Sequence, residues 1–186
     1  MTVIYDTATK TARMTAVRDQ IDAGASAGVL QIGTSGMAVV LADFTLNDPC
    51  GTISGDVLGF SGFPKSDTSA NATGKALSAR IRDSSNNNRV TGLDVGLTST
   101  AAPAWAGSTA YTAGVYRTNG ANIYRCVTSG TSASSGGPTG TGTGITDGTA
   151  TWDWYCKAGA DIQLDSLEIT TGQTVTINNA AITHAP

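Results

Sequence analysis

The stretch that decides the fold is VLQIGTSGMAVVLADFTL, residues 29–46. Its two runs, VLQIG and MAVVLADFTL, are rich in β-branched and apolar residues, too short for ordinary helices, and separated by glycines and small hydroxyl residues that suit a turn. Working outward, the pattern recurs in DVLGF (56–60), LSARIRD (77–83), RVTGLDVGL (89–97), DIQLDSLEIT (161–170) and QTVTINNAAIT (173–183). Several of these runs alternate with the period of two expected of a half-buried strand. The breaks between them, NDPCG, PKSDTSANATG, DSSNNN and TTGQ, carry residues that preset a turn or tolerate positive φ. About seven strands at this spacing predict a mainly β protein built on a β-sandwich.

Upstream, residues 10–23 are the one helix candidate. Met14, Val17 and Ile21 recur at helical spacing, Arg13 and Arg18 lie between them, and Gly24 is the expected stop. The simple reading is an apolar stripe capping the open end of a sheet. Its rival is an arm that contacts a neighbouring subunit.

A change of aromatic type marks a third zone, residues 103–157. It holds all three tryptophans, four of the five tyrosines and none of the three phenylalanines. Phe44, Phe60 and Phe63 belong to the surrounding sequence, so two separate cores are expected. The reading is a discontinuous sandwich domain, 1–101 and 158–186, interrupted by an inserted aromatic-rich β-module, 102–157. Between the aromatic ends of the insertion runs TSGTSASSGGPTGTGTGITDGT (128–149), whose Gly, Ser and Thr composition predicts a flexible loop. Its lone Asp147 cannot supply the six to eight oxygens that calcium takes.

Bulk properties exclude several functions. Eleven Lys plus Arg against 14 Asp plus Glu give a net charge of −3, which leaves no electrostatic footprint for nucleic acid. Only 13% of residues are charged while 23 are glycine, a composition suited to short strands and tight turns. No apolar run has the roughly 18–20 residues of a membrane span. The start of the sequence lacks a basic segment followed by an apolar run, so synthesis in a cytoplasm without signal-directed export is expected.

Candidate chemistry is sparse. Cys50, Cys126 and Cys156 have no metal-ligand spacing, and no metal or cofactor is expected. Cys126 follows NIYR and Cys156 ends WDWY, so pairing of those two strands is expected to bring the thiols together, with a disulfide forming only outside a reducing cytoplasm. The single histidine, His184, reads as a structural or surface residue near the chain end. Asp161 and Asp165 share a strand face with Gln163 between them, which a solvated face explains better than a glycosidase pair. No catalytic residue is assigned, and the chain is not expected to be an enzyme.

The aromatic cluster is the constellation with chemistry of its own. Rings of Trp and Tyr stack on sugar faces, but a small module also needs large aromatics for its core. The candidate carbohydrate-binding set is Trp105, Tyr111, Tyr116, Tyr124, Trp152 and Trp154. Trp152 and Trp154 fall on one face of a strand and Asp153 and Tyr155 on the other, so at most part of the set faces solvent.

Two stretches carry a family resemblance. GVLQIGTSG, LADFTLNDPCG, SDTSANATGKALSARIRDSS, VTGLDVG and GADIQLDSLEITTGQTVTINNAAITHAP together resemble small structural proteins of tailed phages and prophages. The insertion is similar to a module of phage tail-fibre and other virion surface proteins. Its first half also resembles small chitin-binding-type carbohydrate modules, with Trp105, Tyr111, Gly114, Gly120, Tyr124 and Trp152 at the matching positions. It runs one residue short at Gly114-Val115-Tyr116. The resemblance implies a virion-surface protein, made in the bacterial host cytoplasm, most simply a capsid decoration protein. Implied partners are the major capsid protein or other virion proteins, further copies of the chain in a homo-oligomer and, through the insertion, a host surface glycan. The alternative is a tail-fibre, collar or head-fibre adhesion protein. A secreted accessory domain of polysaccharide breakdown fits less well, because both the signal and the acid pair are missing.

Overall fold

A computed structural model describes residues 4–183, so His184 lies outside the described residues. The fold is mainly β and β-sandwich-like, with one N-terminal helix. Helix α1 (Thr7–Ile21) begins three residues before the predicted start, because the Asp6 carboxylate accepts from the Thr9 amide at 2.7 Å and caps it. It ends at Ile21, where the Asp22 amide bonds back to Arg18 at 2.9 Å, and Gly24 turns the chain away at φ +116°.

The strands follow in chain order. β1 (Val29–Gly33), β2 (Val40–Thr45), β3 (Gly51–Ser54), β4 (Val57–Phe60), β5 (Lys65–Asp67), β6 (Gly74–Lys75), β7 (Ser78–Arg82) and β8 (Asn88–Leu97) precede the aromatic zone. Within it lie β9 (Ala110–Tyr111), β10 (Tyr116–Asn119), β11 (Asn122–Thr128), β12 (Gly130–Thr131), β13 (Ile145–Asp147) and β14 (Ala150–Lys157). β15 (Ile162–Leu164), β16 (Glu168–Ile169) and β17 (Val175–Thr183) complete the fold. Two expectations need correction. DIQLDSLEIT is two strands, not one, because Asp165 and Ser166 interrupt the apolar alternation, and PKSDTSANATG contains β5 and the first residue of β6 as well as turns.

The chain divides into two compact units. One runs through Val95 and resumes at Asp161; the other is Gly96–Ala160. In the first unit a nine-stranded sheet takes the order β2-β1-β7-β8-β15-β17-β4-β3, with β5 also paired to β17. β17 bridges two parts of this sheet, since Val175–Ile177 pair with β5 and Ala181–Thr183 with β4. Alternation then sorts the faces. Leu30, Ile32, Phe44 and Ile81 turn inward and are buried, while Gln31, Asp43 and Arg80 lie side by side on the outer face. There Arg80 Nε donates to Gln31 at 2.7 Å and Gln31 Nε2 donates to Asp43 at 2.7 Å.

Helix α1 packs on the β3–β4 hairpin of this unit. Met14 and Ile21 are buried, Val17 is half-buried, and Thr11 Oγ1 donates to the Gly55 carbonyl at 3.2 Å. The apolar stripe is therefore used within the unit, as a cap on the sheet. Among the described residues, no helix is long and apolar enough to cross a membrane.

The loop motifs that carried the resemblance turn out to be interlocked. Asp67 accepts from the amides of Asp43 and Ser69 at 3.0 Å each, and Asn71 Nδ2 donates to Asp43 at 2.7 Å. Across the unit, the Ala70 amide bonds to Gln173 and the Gly172 amide to Ala70, while the Thr171 amide donates to Thr73 Oγ1. Thus SDTSANATG and TTGQ brace one another. In RIRDSS, Asp83 is buried and accepts from the amides of Ser85 and Asn87, from Asn87 Nδ2 and from the Arg89 guanidinium. That carboxylate organises the β7–β8 turn from inside.

Candidate functional site

The Gly96–Ala160 unit is built on a four-stranded sheet, β10-β11-β14-β13, with the short pair β9 and β12 beside it. Its core is Tyr111, Tyr124, Cys126, Ala150 and Trp152, with Trp105, Val115, Ile145 and Trp154 packed around it. Tyr111 and Trp152 meet edge to face, with ring centroids 5.0 Å apart.

This packing corrects the proposed sugar-binding set. Tyr111, Tyr124 and Trp152 are buried and present no ring face to a ligand. Their polar ends are used internally: the Tyr111 hydroxyl donates to the Ala106 carbonyl and accepts from its amide, and the Tyr124 hydroxyl donates to Gly140 at 2.9 Å. Trp105 and Trp154 are half-buried against the same core, and Trp154 Nε1 donates to Asn122 at 3.0 Å. A module this small has little other apolar volume, so its rings go inward.

At the centre sits Asp147, only 4% exposed. Its Oδ2 accepts from Trp105 Nε1 at 2.8 Å and Trp152 Nε1 at 3.2 Å, and its Oδ1 accepts from the Ala133 amide at 3.0 Å. Two indoles and a loop amide thus converge on one carboxylate. A buried carboxylate is tolerable only when its lone pairs are taken up in this way. In the sequence Asp147 reads only as a lone acid that cannot hold calcium; the tryptophans and the DG turn around it are the available signal.

The Gly, Ser and Thr run is also corrected. It is tied to the sheet along its length, not a free loop. Asn119 Nδ2 donates to the carbonyls of Gly136 at 2.8 Å and Pro138 at 3.0 Å, the Trp154 amide donates to Gly142, and the Gly144 amide donates to Asp153. Glycine is needed at 137, where φ is +69° and a Cβ would stand 2.9 Å from the Trp105 ring. Composition alone missed this because the tethers come from outside the run.

Cys126 and Cys156 are not joined by a disulfide, and both thiols are buried. Cys126 lies opposite Trp152, and Cys156 opposite Ile123. At about 3.3 Å per residue those positions are roughly 10 Å apart along the strand, beyond the ~7 Å reach of a disulfide. The expectation failed because both cysteines sit toward the C-terminal ends of strands that run antiparallel, which places them at opposite ends of the pair.

What remains outward is the other face of the sheet. Tyr116, Arg125 and Asp153 occupy one row across β10, β11 and β14. Tyr116 is half-buried, its ring leaning on Tyr155 at 4.6 Å between centroids, and Arg125 is exposed. Of the six candidate rings, Tyr116 alone lies on this face; Arg125, Asp153 and Tyr155 were not among the candidates, although the alternation of WDWY already separated Asp153 and Tyr155 from the tryptophans.

In the first unit, Asp161 and Asp165 flank β15, and Asp161 Oδ2 accepts from the Asp94 amide at 3.0 Å. Among the described residues, no group of three or more His, Cys, Asp or Glu is placed to hold a metal ion. Burial pushes the Cys50 thiol up to about 12, helped by the neighbouring Asp22. The fold and these residues define a two-unit, mainly β protein whose converging carboxylates, Asp83 and Asp147, serve its own folding. No family model, curated protein or solved structure matches the chain.

Proposed function

We propose that this is a non-enzymatic structural protein of a tailed-phage particle, a capsid decoration protein that binds the shell through the β-sandwich-like unit and displays the Gly96–Ala160 unit. The observation that carries the reading is the splice. β8 and β15 are neighbours in one sheet, yet the connection between them is a folded unit with its own aromatic core. Strand connections in compact domains usually take about 4–6 residues. Closing the sheet does not require the extra unit, which suits a displayed cargo. The resemblance of the flanking motifs to phage structural proteins supplies the setting, with the major capsid protein or other virion proteins and further copies of this chain as partners.

The test replaces residues 102–157 with a short Gly/Ser linker. Shortening the connection tenfold favours closure by about 2 kcal/mol, so the remainder is expected to fold and to enter particles. A variant that folds but never joins the particle overturns the assignment. Copy number in purified particles separates decoration, with many copies, from a fibre or collar, with few.

The row of Tyr116, Arg125 and Asp153 favours a second reading, adhesion to a host surface glycan. An aromatic ring beside a guanidinium and a carboxylate suits both the apolar face and the hydroxyls of a sugar. Glycan-array binding that disappears in Tyr116→Ala and persists in Trp105→Phe would support this reading, and equal binding by wild type and Tyr116→Ala would remove it.

A further inference from the structure

The hairpin between β10 and β11 turns through Asn119, Gly120, Ala121 and Asn122. Gly120 takes φ +60°, the left-handed value that a two-residue hairpin loop requires at its first central position, and it stands in open space. Asn119 also holds down the Gly-rich segment, through its bonds to Gly136 and Pro138. Between those two carbonyls Gly137 passes so close that a Cβ there would stand 2.7 Å from Asn119 Nδ2 and 2.9 Å from Trp105 Cδ2. The segment is therefore clamped between the Asn119 amide and the Trp105 ring. Pro138 is buried, and beyond it Gly140, Gly142 and Gly144 have tethers of their own to Tyr124, Trp154 and Asp153, so the stretch that depends on Asn119 is the exposed run before Pro138.

The clamp is made from the side chain that this sequence leaves most open to chemical change. An asparagine followed by glycine closes readily to a succinimide, because no Cβ shields the next backbone nitrogen. We propose that Asn119–Gly120 is a deamidation site whose conversion loosens the stretch 134–138 and uncovers the Trp105 ring. In the first step the Gly120 nitrogen bonds to Asn119 Cγ, the Cγ–Nδ2 bond breaks, and ammonia leaves with the proton given up by that nitrogen. Water then opens the ring at either carbonyl, leaving aspartate or isoaspartate at position 119. No oxidant or reductant takes part. The side chain changes from a donor of two hydrogen bonds to an anion that only accepts. It then faces two carbonyl oxygens that also only accept, and the clamp becomes a repulsion. While the clamp is closed it holds the leaving amide in place, so conversion proceeds through brief openings and acts as a slow, one-way timer. This inference does not depend on the phage reading.

The experiment ages the purified full chain in mildly alkaline buffer. Peptide mass mapping follows conversion at Asn119, and limited proteolysis follows cleavage within 134–138. Conversion is expected first at Asn119, ahead of Asn86, Asn87 and Asn88, with cleavage rising in step. Fresh Asn119→Asp protein is expected to be cut about tenfold faster than fresh wild type, because cleavage tracks the population of the open form. Asn119→Gln, which cannot close the five-membered ring, is expected not to change with age. The proposal is overturned if Asn119 stays intact while other asparagines convert, or if converted wild-type protein is cut no faster than fresh protein. The second comparison needs no variant, so it holds even where a substitution disturbs folding.

Discussion

Removing the carboxylate of Asp147 tests the reading of the inserted unit as a fold organised around one buried acid. Asp147→Ala leaves two indole N–H groups and the Ala133 amide without their acceptor. Each orphaned buried donor costs about 1–3 kcal/mol, and entering water recovers part of it, so a loss of about 4 kcal/mol is expected. A unit the size of Gly96–Ala160, at about 0.05–0.15 kcal/mol per residue, holds roughly 3–10 kcal/mol in total. The variant is therefore close to unfolded in this unit. Asp147→Asn is the sharper probe, because it keeps the shape. If its oxygen faces the indoles, its NH2 meets the Ala133 amide; if it flips, the NH2 meets both indoles. In either orientation a donor faces a donor, and about 2–3 kcal/mol is lost. All three tryptophans lie in this unit, so urea unfolding followed by tryptophan emission reports on it alone. An Asp147→Asn protein within about 0.5 kcal/mol of wild type, the range of an ordinary surface change, would refute the reasoning.

The Asp83 carboxylate is held down at about 2, chiefly by the Asn87 side chain and also by the Arg89 guanidinium. Its folded value lies below the ordinary value of 3.8, so its contribution to stability is present above about pH 4 and is lost as the pH falls toward 2. Melting curves of wild type and Asp83→Asn should accordingly converge across that window and stay separate at neutral pH. Cys50, Cys126 and Cys156 are buried thiols outside any disulfide, so none should react with a thiol reagent in the native protein, and all should react after unfolding. Rapid labelling of one of them without unfolding would show that its strand opens locally. Gly137→Ala should loosen the segment over Trp105, because its φ of +69° and the nearby ring both exclude a Cβ; protease sensitivity of the 134–138 stretch is the measurement.

The β-rich fold was legible where apolar alternation is strong. VLQIG, RVTGLDVGL and QTVTINNAAIT announce β1, β8 and β17 because their buried faces impose a period of two. β5 and β6 were illegible for the opposite reason: Lys65–Asp67 and Gly74–Lys75 have no buried face and exist because β17 and β16 offer them a ladder. The start of α1 was set by one cap, Asp6, which stands outside the apolar stripe that locates the helix. Turn chemistry was readable as turn chemistry, but which turns brace each other, as Thr73 and Thr171 do, is a long-range fact that local sequence does not carry.

The candidate site was less legible, because Trp and Tyr carry the same letters whether they build a core or a surface. What separates the two is strand parity combined with register. Parity was available, since WDWY already divides Trp152 and Trp154 from Asp153 and Tyr155. Register was not, because bulges between Ile123 and Tyr124 and between Cys126 and Thr128 shift the pairing of β11 with β14. A bulge adds a residue on one strand only, so it reassigns which side chains face each other without altering either strand's own pattern. The bulge between Ile123 and Tyr124 leaves Tyr155 as the extra residue that reaches the Tyr116 ring, whereas Cys126 faces Trp152 through the plain antiparallel register. An outward surface of Tyr116, Arg125 and Asp153 is thus a property of the pairing of three strands, and it becomes visible only when they are assembled.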